Sequence, residues 1–408
     1  MGNNKNNMVL TILLGNLFIA FLGIGLIIPI LPTIMNEFKI SGSVVGYLTA
    51  AFALTQLIVS PFAGKAADRF GRKIMIVLGL FVFAFSELLF AVGQSIDILF
   101  LSRILGGISG AFIMPAVTAF IADITTFETR SKALGYMSAA ISTGFIIGPG
   151  IGGFLAEFGT RIPFFAAAIL GSVAGFLSLV ALKEPIRQQA VVESTETVKT
   201  NSLRKLFMPI FLIPFSLIFI SSFGLASFES FYSLFVDKKF NFTPSDIAIA
   251  VTGGGIMGAI VQVMLFDRLT RKIGEINVIR YSLIFSVILV FLVTMVNGYL
   301  SIMLVSFFAF VGFDLIRPAL TTYLSKIAGD DQGFVGGLNS MFTSLANVVG
   351  PIIGGLLYDV NINYPYYFAT ILLIIGSIIA LVWKNSKEVL KKSSIPNDRK
   401  EMIRLLEK

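Results

Sequence analysis

Five charged residues lie inside long apolar stretches of the sequence: Glu87, Arg103, Glu229, Asp314 and Arg317. A charged side chain is costly in a lipid bilayer, so such residues usually face a water-filled cavity or a partner of opposite charge. Asp314 and Arg317 are three positions apart, which places them on one face of a helix, where they can pair. Structural ion pairs are the alternative to a functional role for all five.

Glu229 and Asp314 are the candidates for binding a proton and a cation. A carboxyl group enclosed in an apolar cavity holds its proton more tightly than one in water, so it can stay protonated near neutral pH. A lipophilic cation that enters beside such a group favours the ionised form and displaces the proton. The chain has no histidine, the residue that usually titrates in this range, so proton handling falls to carboxylates.

Aromatic and amide side chains near the middle of the apolar stretches are candidates for the lining of a substrate cavity. Aromatic faces attract cations and flat molecules, and phenylalanines stand close to both acids in the sequence. The chain has 40 phenylalanines, and most of them are expected to face lipid or pack between helices. The cavity candidates are Phe21, Gln56, Phe228, Phe231, Phe310, Phe313 and Asn347.

The elements that position these residues are predicted to be membrane helices. Of the 408 residues, 56% are hydrophobic and 13% are charged, whereas a soluble domain carries about 25% charged residues. At about 20 apolar residues for each crossing, the sequence predicts an all-α integral membrane protein with twelve transmembrane helices. They lie near 9–31, 44–64, 74–93, 97–121, 133–156, 162–182, 208–235, 246–266, 276–296, 300–324, 334–358 and 364–383.

A polar segment divides these helices into two sets of six. Residues 1–182 form the first predicted half, 183–207 a solvated linker, 208–383 the second half, and 384–408 a basic tail that is solvated or lies on the membrane surface. Most of the 31 lysines and arginines fall on the side that holds both termini and the linker. Because basic loops stay in the cytoplasm, we expect both termini to be cytoplasmic.

The two halves repeat each other. A charged turn at 64–73 follows the second predicted helix and has a weaker copy at 267–273, about 200 positions later. In the copy, Thr270 takes the place of the glycine at position 71. Two parallel halves joined by a charged linker are typical of transporters, with the binding site near the midplane between the halves. The pattern of the turn is carried by Gly64, Asp68, Arg69, Gly71 and Arg72.

Small residues run along the fifth predicted helix. Gly144, Gly148, Gly152 and Gly153 recur at helical spacing and are predicted to share one face. Small residues allow two membrane helices to approach closely, and Pro149 removes a backbone hydrogen bond and permits a bend. The pattern therefore predicts close packing of this helix against a neighbour.

In these motifs the chain resembles the major facilitator superfamily, and within it the twelve-helix drug:proton antiporters of the Bmr and NorA type. The turn at 64–73 is similar to the superfamily signature between helices 2 and 3, and Arg103 with the glycines after it resembles the fourth-helix motif. The glycines and proline of the fifth helix, and the stretch 22–32 in the first, are similar to motifs of the drug antiporters. The resemblance covers residues 10–385 and implies the fold of that superfamily.

The resemblance implies roles for the residues singled out above. The fifth-helix glycines would act as a hinge or seal between the halves. Asp68, with Arg72, would form a latch at the start of the eleventh helix, where the helix dipole favours an anion. Glu229 and Asp314 match the acidic cavity positions of the exporters. Apart from the resemblance, Arg103 lies in an early turn of the fourth predicted helix, and we expect it to balance or sense these carboxylates across the cavity. The other matching cavity positions are Phe21, Gln56 and Asn347.

The expected function is proton-driven antiport that exports lipophilic or cationic drugs, such as dyes, quaternary cations and fluoroquinolones, across a bacterial plasma membrane. We expect a monomer that needs the proton gradient and no cofactor, since the sequence lacks a Gly-x-x-x-x-Gly-Lys-[Ser/Thr] nucleotide loop. A specific exporter of a metabolite such as a polyamine is the alternative.

Without histidine or cysteine, zinc and thiol enzymes have no chemistry here. The net charge of +8 follows the loop bias and does not indicate nucleic-acid binding.

Overall fold

The computed structural model describes residues 2–185, 209–328 and 332–383. The described part of the chain consists of helices and their connections, without a β-strand. Most of the predicted linker 183–207 and all of the predicted tail 384–408 lie outside the described residues. Those two predictions therefore stay predictions.

Twelve helices of membrane-spanning length follow one another in the described residues, which confirms the predicted number and order. Several extend beyond their predicted ends, because helical hydrogen bonding continues past the apolar stretch. The first helix also continues through a 3-10 turn, Ile28–Ile30, into a short helix, Leu31–Phe38. The helices are α1 Gly2–Leu26, α2 Gly42–Phe70, α3 Arg72–Val92, α4 Ile96–Ile124, α5 Phe127–Ala156, α6 Ile162–Ala181, α7 Pro209–Phe240, α8 Pro244–Ile273, α9 Glu275–Met295, α10 Tyr299–Ala328, α11 Gln332–Val360 and α12 Tyr364–Val382.

Glycines form the corresponding turns of the two halves. Gly71, between α2 and α3, has a φ of 109°, a backbone conformation that glycine adopts readily and other residues rarely do. Between α8 and α9 the turn is made by Gly274, with a φ of 80°. The expectation that Thr270 replaces Gly71 is therefore wrong, since Thr270 lies inside α8, one helical turn earlier. The sequence repeat aligns out of register because Asp267 and Arg271, which both lie within α8, have the same spacing as Asp68 and Arg72.

Each half has an apolar core of its own, a further cluster that includes Leu31 and Phe231 contains residues of both halves, and two pairs of long helices make most of the contacts between the halves. In the first half, α1 packs against α5 and α6, and α3 packs against α4 and α6. In the second half, α7 packs against α11 and α12, and α10 packs against α8 and α9. Between the halves, α2 packs against α11 and α5 packs against α8. A site between the halves is therefore bounded by these four helices.

The halves touch closely on one side of the molecule. We call the side with the turn at Gly71 the terminal face and the side with the turn at Gly93 the opposite face. On the opposite face, a side chain added at Gly355 of α11 would meet the carbonyl oxygen of Gly42 in α2 at 2.7 Å. On α5, a side chain at Gly153 would meet the backbone of α8 at 2.6 Å. Both interfaces between the halves are thus closed on the opposite face.

The halves stand apart on the terminal face. Among the described residues, no atom lies within 4 Å of the position that a side chain would take at Gly64 of α2, Gly135 of α5 or Gly337 of α11. Tyr136, in the part of α5 nearest this face, is 47% exposed. A cavity between the halves therefore opens at the terminal face and is closed at the opposite face.

Candidate functional site

Glu229, Asp314 and Arg317 come together in the second half. Glu229 lies on α7, and the other two lie on α10. Both acids are partly exposed, and Arg317 is exposed although it lies well inside a membrane helix. A charge at that depth needs access to water. The charge of Glu229 interacts with those of Asp314 and Arg317, so the three charges share one site beside the open cavity.

Asp314 and Arg317 do not form the direct ion pair that their spacing allows. Their charges interact through space, but within the described residues no ion pair of 4.0 Å or less joins them. Glu229 likewise has no ion-pair partner in this part of the chain. The site therefore presents two carboxylates and one guanidinium that are available to an ion in the cavity.

Gly258 of α8 determines where the Asp314 side chain can lie, and no sequence motif points to this role. The carboxylate of Asp314 occupies the space that a side chain at position 258 would need. One turn away, the ring of Phe310 packs in the same way over Gly254. The glycines at 253–258 are visible in the sequence, but only the packing of α8 on α10 shows that one of them makes room for an acid.

The four phenylalanines predicted to line the cavity beside the acids are buried in the helix packing instead. Phe228 meets Phe310 edge-on, with 5.5 Å between the ring centroids, and Phe313 lies 6.2 Å from Phe228. Phe231 stacks on Tyr358 of α11, 5.7 Å away. All four are at most 5% exposed. Successive residues of a helix point about 100° apart, so the neighbours of a partly exposed acid turn away from the cavity.

Phe21, Gln56 and Asn347 remain candidates for the cavity lining. Asn347 is exposed in the middle of α11, and an exposed amide at that depth suits a water-filled space. Phe21 of α1 is partly exposed, and its ring lies 6.3 Å from that of Phe145 in α5. Gln56 of α2 is partly exposed, with its amide packed over Gly110 of α4. Their contact with a substrate stays a prediction.

Arg103 pairs with Glu87 inside the first half. Their side chains are 3.2 Å apart and only 6% and 3% exposed. The guanidinium also lies over the ring of Phe90, 4.5 Å from its centroid. Beside the pair, Ser86 and Ser102 each donate a hydrogen bond to the other's carbonyl oxygen. The pair fixes α3 against α4, so the expectation that Arg103 balances the cavity acids is not met in this structure.

The charged turn ties four elements together on the terminal face. Arg72 is buried and pairs with Asp68 and with Asp123 of α4, each at 3.0 Å. Glu184, which follows α6, accepts hydrogen bonds from the backbone N–H groups of Arg72 and Lys73, at 2.6 and 2.9 Å. Nothing in its sequence position identified Glu184 as a partner of this turn. The latch of Asp68 on the start of α11 stays a prediction for a state in which this face is closed.

The glycines of α5 serve two interfaces. Gly144, Gly148 and Gly152 pack on the backbone of α1 within the first half, as does Pro149. Gly153 instead packs on α8 of the second half. The expectation that all four glycines share one face is therefore wrong, since one residue turns a helix by about 100°. Of the four, Gly153 is the one that lies between the halves.

Comparison with known proteins agrees with this architecture. The family model described as Major Facilitator Superfamily matches residues 13–235 and 215–406. Multidrug resistance protein 1 of Bacillus subtilis (strain 168) is 64% identical over 380 residues, which are 93% of this chain and 97% of that protein. Quinolone resistance protein NorA of Staphylococcus aureus is 46% identical over 389 residues, which are 95% of this chain and 100% of that protein.

Solved structures share the fold at low sequence identity. A bacterial homologue of the human lysosomal transporter Spinster, in an inward-facing and unoccupied conformation, has a TM-score of 0.82 at 16% identity, over 96% of this chain and 99% of that one. The nucleoside transporter NupG has a TM-score of 0.74 at 15% identity, over 94% and 99%. The chain thus belongs to the Major Facilitator Superfamily. It is a multi-pass membrane transporter and not an enzyme.

Proposed function

We propose that this transporter is a proton-driven antiporter that exports lipophilic, often cationic, drugs. Drug export is supported by its relatives, which are named multidrug resistance and quinolone resistance proteins. Proton coupling is supported by the charged site on α7 and α10. There, Glu229 and Asp314 interact with each other's charge beside an open cavity, without ion-pair partners among the described residues.

Loop charge supports an orientation in the bacterial plasma membrane with the terminal face in the cytoplasm. The α2–α3 turn on this face is flanked by Arg69, Arg72 and Lys73, whereas the opposite-face turns at 93–95 and 296–298 carry no basic residue. In this orientation both termini are cytoplasmic. The cavity then faces the cytoplasm, and a drug from the cytoplasm or the inner leaflet can reach the acids.

Antiport follows if a proton and a cation cannot occupy the acids together. When the cavity faces the cytoplasm, a cation beside the carboxylates favours their ionised form, and the proton leaves to the cytoplasm. When the cavity faces outward, a proton neutralises a carboxylate and weakens its hold on the cation, which leaves. Arg317 adds a fixed positive charge that favours ionisation of the acids once the cation has gone. The proton gradient supplies the energy, no cofactor takes part, and one chain holds the whole site, so a monomer suffices.

Ethidium efflux from energised cells or vesicles tests this proposal. The variants are Glu229→Gln and Asp314→Asn, and the matched control is Asp267→Asn, an exposed acid on α8 that pairs with Arg271. We expect native efflux to stop when a protonophore collapses the gradient. We expect each site variant to lose most of its efflux at native membrane levels, because it removes a carboxylate that exchanges proton for cation. The control variant should pump normally.

Three results would contradict parts of the proposal. Efflux that survives collapse of the gradient would mean that the energy source is wrong. Normal pumping by both site variants would make Glu229 and Asp314 structural charges. Movement of a polyamine such as spermidine without movement of ethidium would favour the metabolite exporter instead.

A further inference from the structure

A carboxylate from the second half caps a helix of the first half on the opposite face. Asp359, near the end of α11, accepts hydrogen bonds from the backbone N–H groups of Gly42 and Ser43, at 2.6 and 3.0 Å. These residues form the first turn of α2, where N–H groups have no partner within their own helix. The positive end of the helix dipole also lies there and favours an anion. One side chain thus binds the two halves together with both of its oxygens.

The start of α2 depends on this partner because it lacks a cap of its own. Ser41 is its N-cap residue, but in the described structure its side chain makes no capping hydrogen bond to α2. The equivalent helix of the second half, α8, is capped locally. Asp246 accepts a hydrogen bond from the N–H of Thr243 at 2.9 Å, and the hydroxyl of Thr243 accepts one from the N–H of Asp246 at 3.2 Å. The repeat therefore differs at the point where the first half takes its cap from the second.

Glycines allow the two helix ends to approach closely enough for this contact. A side chain at Gly355 would meet the carbonyl oxygen of Gly42 at 2.7 Å and Cα of Ser43 at 2.8 Å. A side chain at Gly46 would collide with the carbonyl oxygen of Pro351. The cap can therefore form only while the ends of α2 and α11 are in contact, which is the closed state of the opposite face.

We propose that Asp359 is a clamp that stabilises the closed opposite face and must release α2 before the cavity can open on that side. The clamp sets the ratio of the two states whatever the substrate, so it goes beyond the proposed function. Opening exposes the N–H groups of α2 fully to water, where these groups and the carboxylate, which is already exposed in the closed state, find new partners. Loss of an N-terminal cap commonly costs about 1 kcal/mol, so we expect removal of the clamp to change the ratio of states about fivefold.

Distances between spin labels on the opposite face measure that ratio. The chain has no cysteine, so Gln94→Cys and Asn297→Cys, one exposed site in each half, give a single labelled pair. The labelled native protein should show mainly the short distance of the closed face. Asp359→Asn should raise the longer-distance fraction about fivefold, because the amide keeps one of the two acceptor oxygens, its NH2 group cannot accept a hydrogen bond, and it carries no charge. Asp246→Asn, which weakens the capping box of α8 within the second half only, should leave the distribution as in the native protein.

A second variant keeps Asp359 and competes with it. Ser41→Asp places a carboxylate at the N-cap of α2, so α2 no longer needs the other half, and the longer-distance fraction should rise here too. If Asp359→Asn fails to fold, this variant decides the question. A native-like distance distribution in either folded variant overturns the clamp. The distances are read without substrate or gradient, so this outcome is independent of whether the protein is a drug:proton antiporter.

Discussion

Gly258 lies outside the charged site, but we expect a larger residue at this position to move the Asp314 side chain. The Asp314 carboxylate fills the space beside its Cα, and forcing a methyl group into a packed position costs roughly 1–3 kcal/mol. Gly258→Ala should relieve that cost by pushing the carboxylate aside and changing its separation from Arg317. We expect slower drug efflux and a shifted pH dependence of efflux, measured in vesicles with a series of imposed internal and external pH values.

Gly253→Ala is the matched control for this prediction. Gly253 lies on the same helix pair, but a side chain there would meet the ring of Phe307 at 2.8 Å and not the acid. It should lower stability to a similar extent and leave the pH profile in place. A native pH profile for Gly258→Ala, or the same shift in both variants, would show that the glycine serves packing alone.

Because Glu87 and Arg103 form a buried ion pair, we expect loss of one partner to destabilise the protein more than replacement of both. Glu87→Gln leaves a buried guanidinium without a counter-charge, and breaking a buried pair in this way costs about 3–5 kcal/mol. Replacing both partners by apolar residues, Glu87→Leu with Arg103→Met, should restore much of the stability, because no charge is then buried. Thermal unfolding in detergent measures both effects. If the double variant folds but no longer transports drugs, Arg103 has a role in transport that this structure does not display.

At the scale of helices and turns, the two turn glycines predict parallel effects in the two halves. A non-glycine residue with a positive φ and an extended ψ, the conformation of both turn glycines, costs about 1–3 kcal/mol, so Gly274→Ala should lower the midpoint of thermal unfolding. Gly71→Ala should lower it further, because the new side chain would also meet the Glu184 carboxylate at 2.9 Å. Thr270→Ala should change it little. If Thr270→Ala lowers the unfolding midpoint as much as Gly274→Ala does, Thr270 would be the counterpart of Gly71 after all.

The sequence identifies helices better than it identifies their contacts. Apolar length is enough to predict the twelve helices, and the cost of burying charge singles out Glu229 and Asp314, whose role in proton coupling stays a prediction. The rotation of each helix about its axis is set by the helices that pack against it. The sequence does not show which helices pack together. For that reason the sequence favours Phe228 for the cavity lining, although it is buried, and Arg103 as a partner of the acids of the other half, although it pairs with Glu87. Gly258 was missed for the same reason, since its role exists only where α8 meets α10.

For the whole molecule, the arrangement of contacts describes one state of a transport cycle. Both interfaces between the halves are closed on the opposite face and separate towards the terminal face. On the α2–α11 interface the closure includes the cap by Asp359, and on the α5–α8 interface Ser245 donates a hydrogen bond to Glu157. Because a cavity that opens on one side only cannot move a solute across, these contacts have to break during transport. The second interface offers a way to test this requirement without touching the clamp.

Glu157→Cys with Ser245→Cys should lock the opposite face closed. The two native side chains touch across α5 and α8, and the chain has no other cysteine, so oxidation can join only this pair. We expect ethidium efflux to stop after oxidation and to return after reduction, while each single cysteine variant pumps throughout.

In the oxidised double variant, the terminal face should stay open. A third cysteine, Asn347→Cys, should then still react with a membrane-impermeant maleimide applied to inside-out vesicles, and not to right-side-out vesicles. Efflux that continues after complete cross-linking would mean that α5 and α8 need not separate on the opposite face, and labelling from the other side would reverse the orientation that loop charge supports.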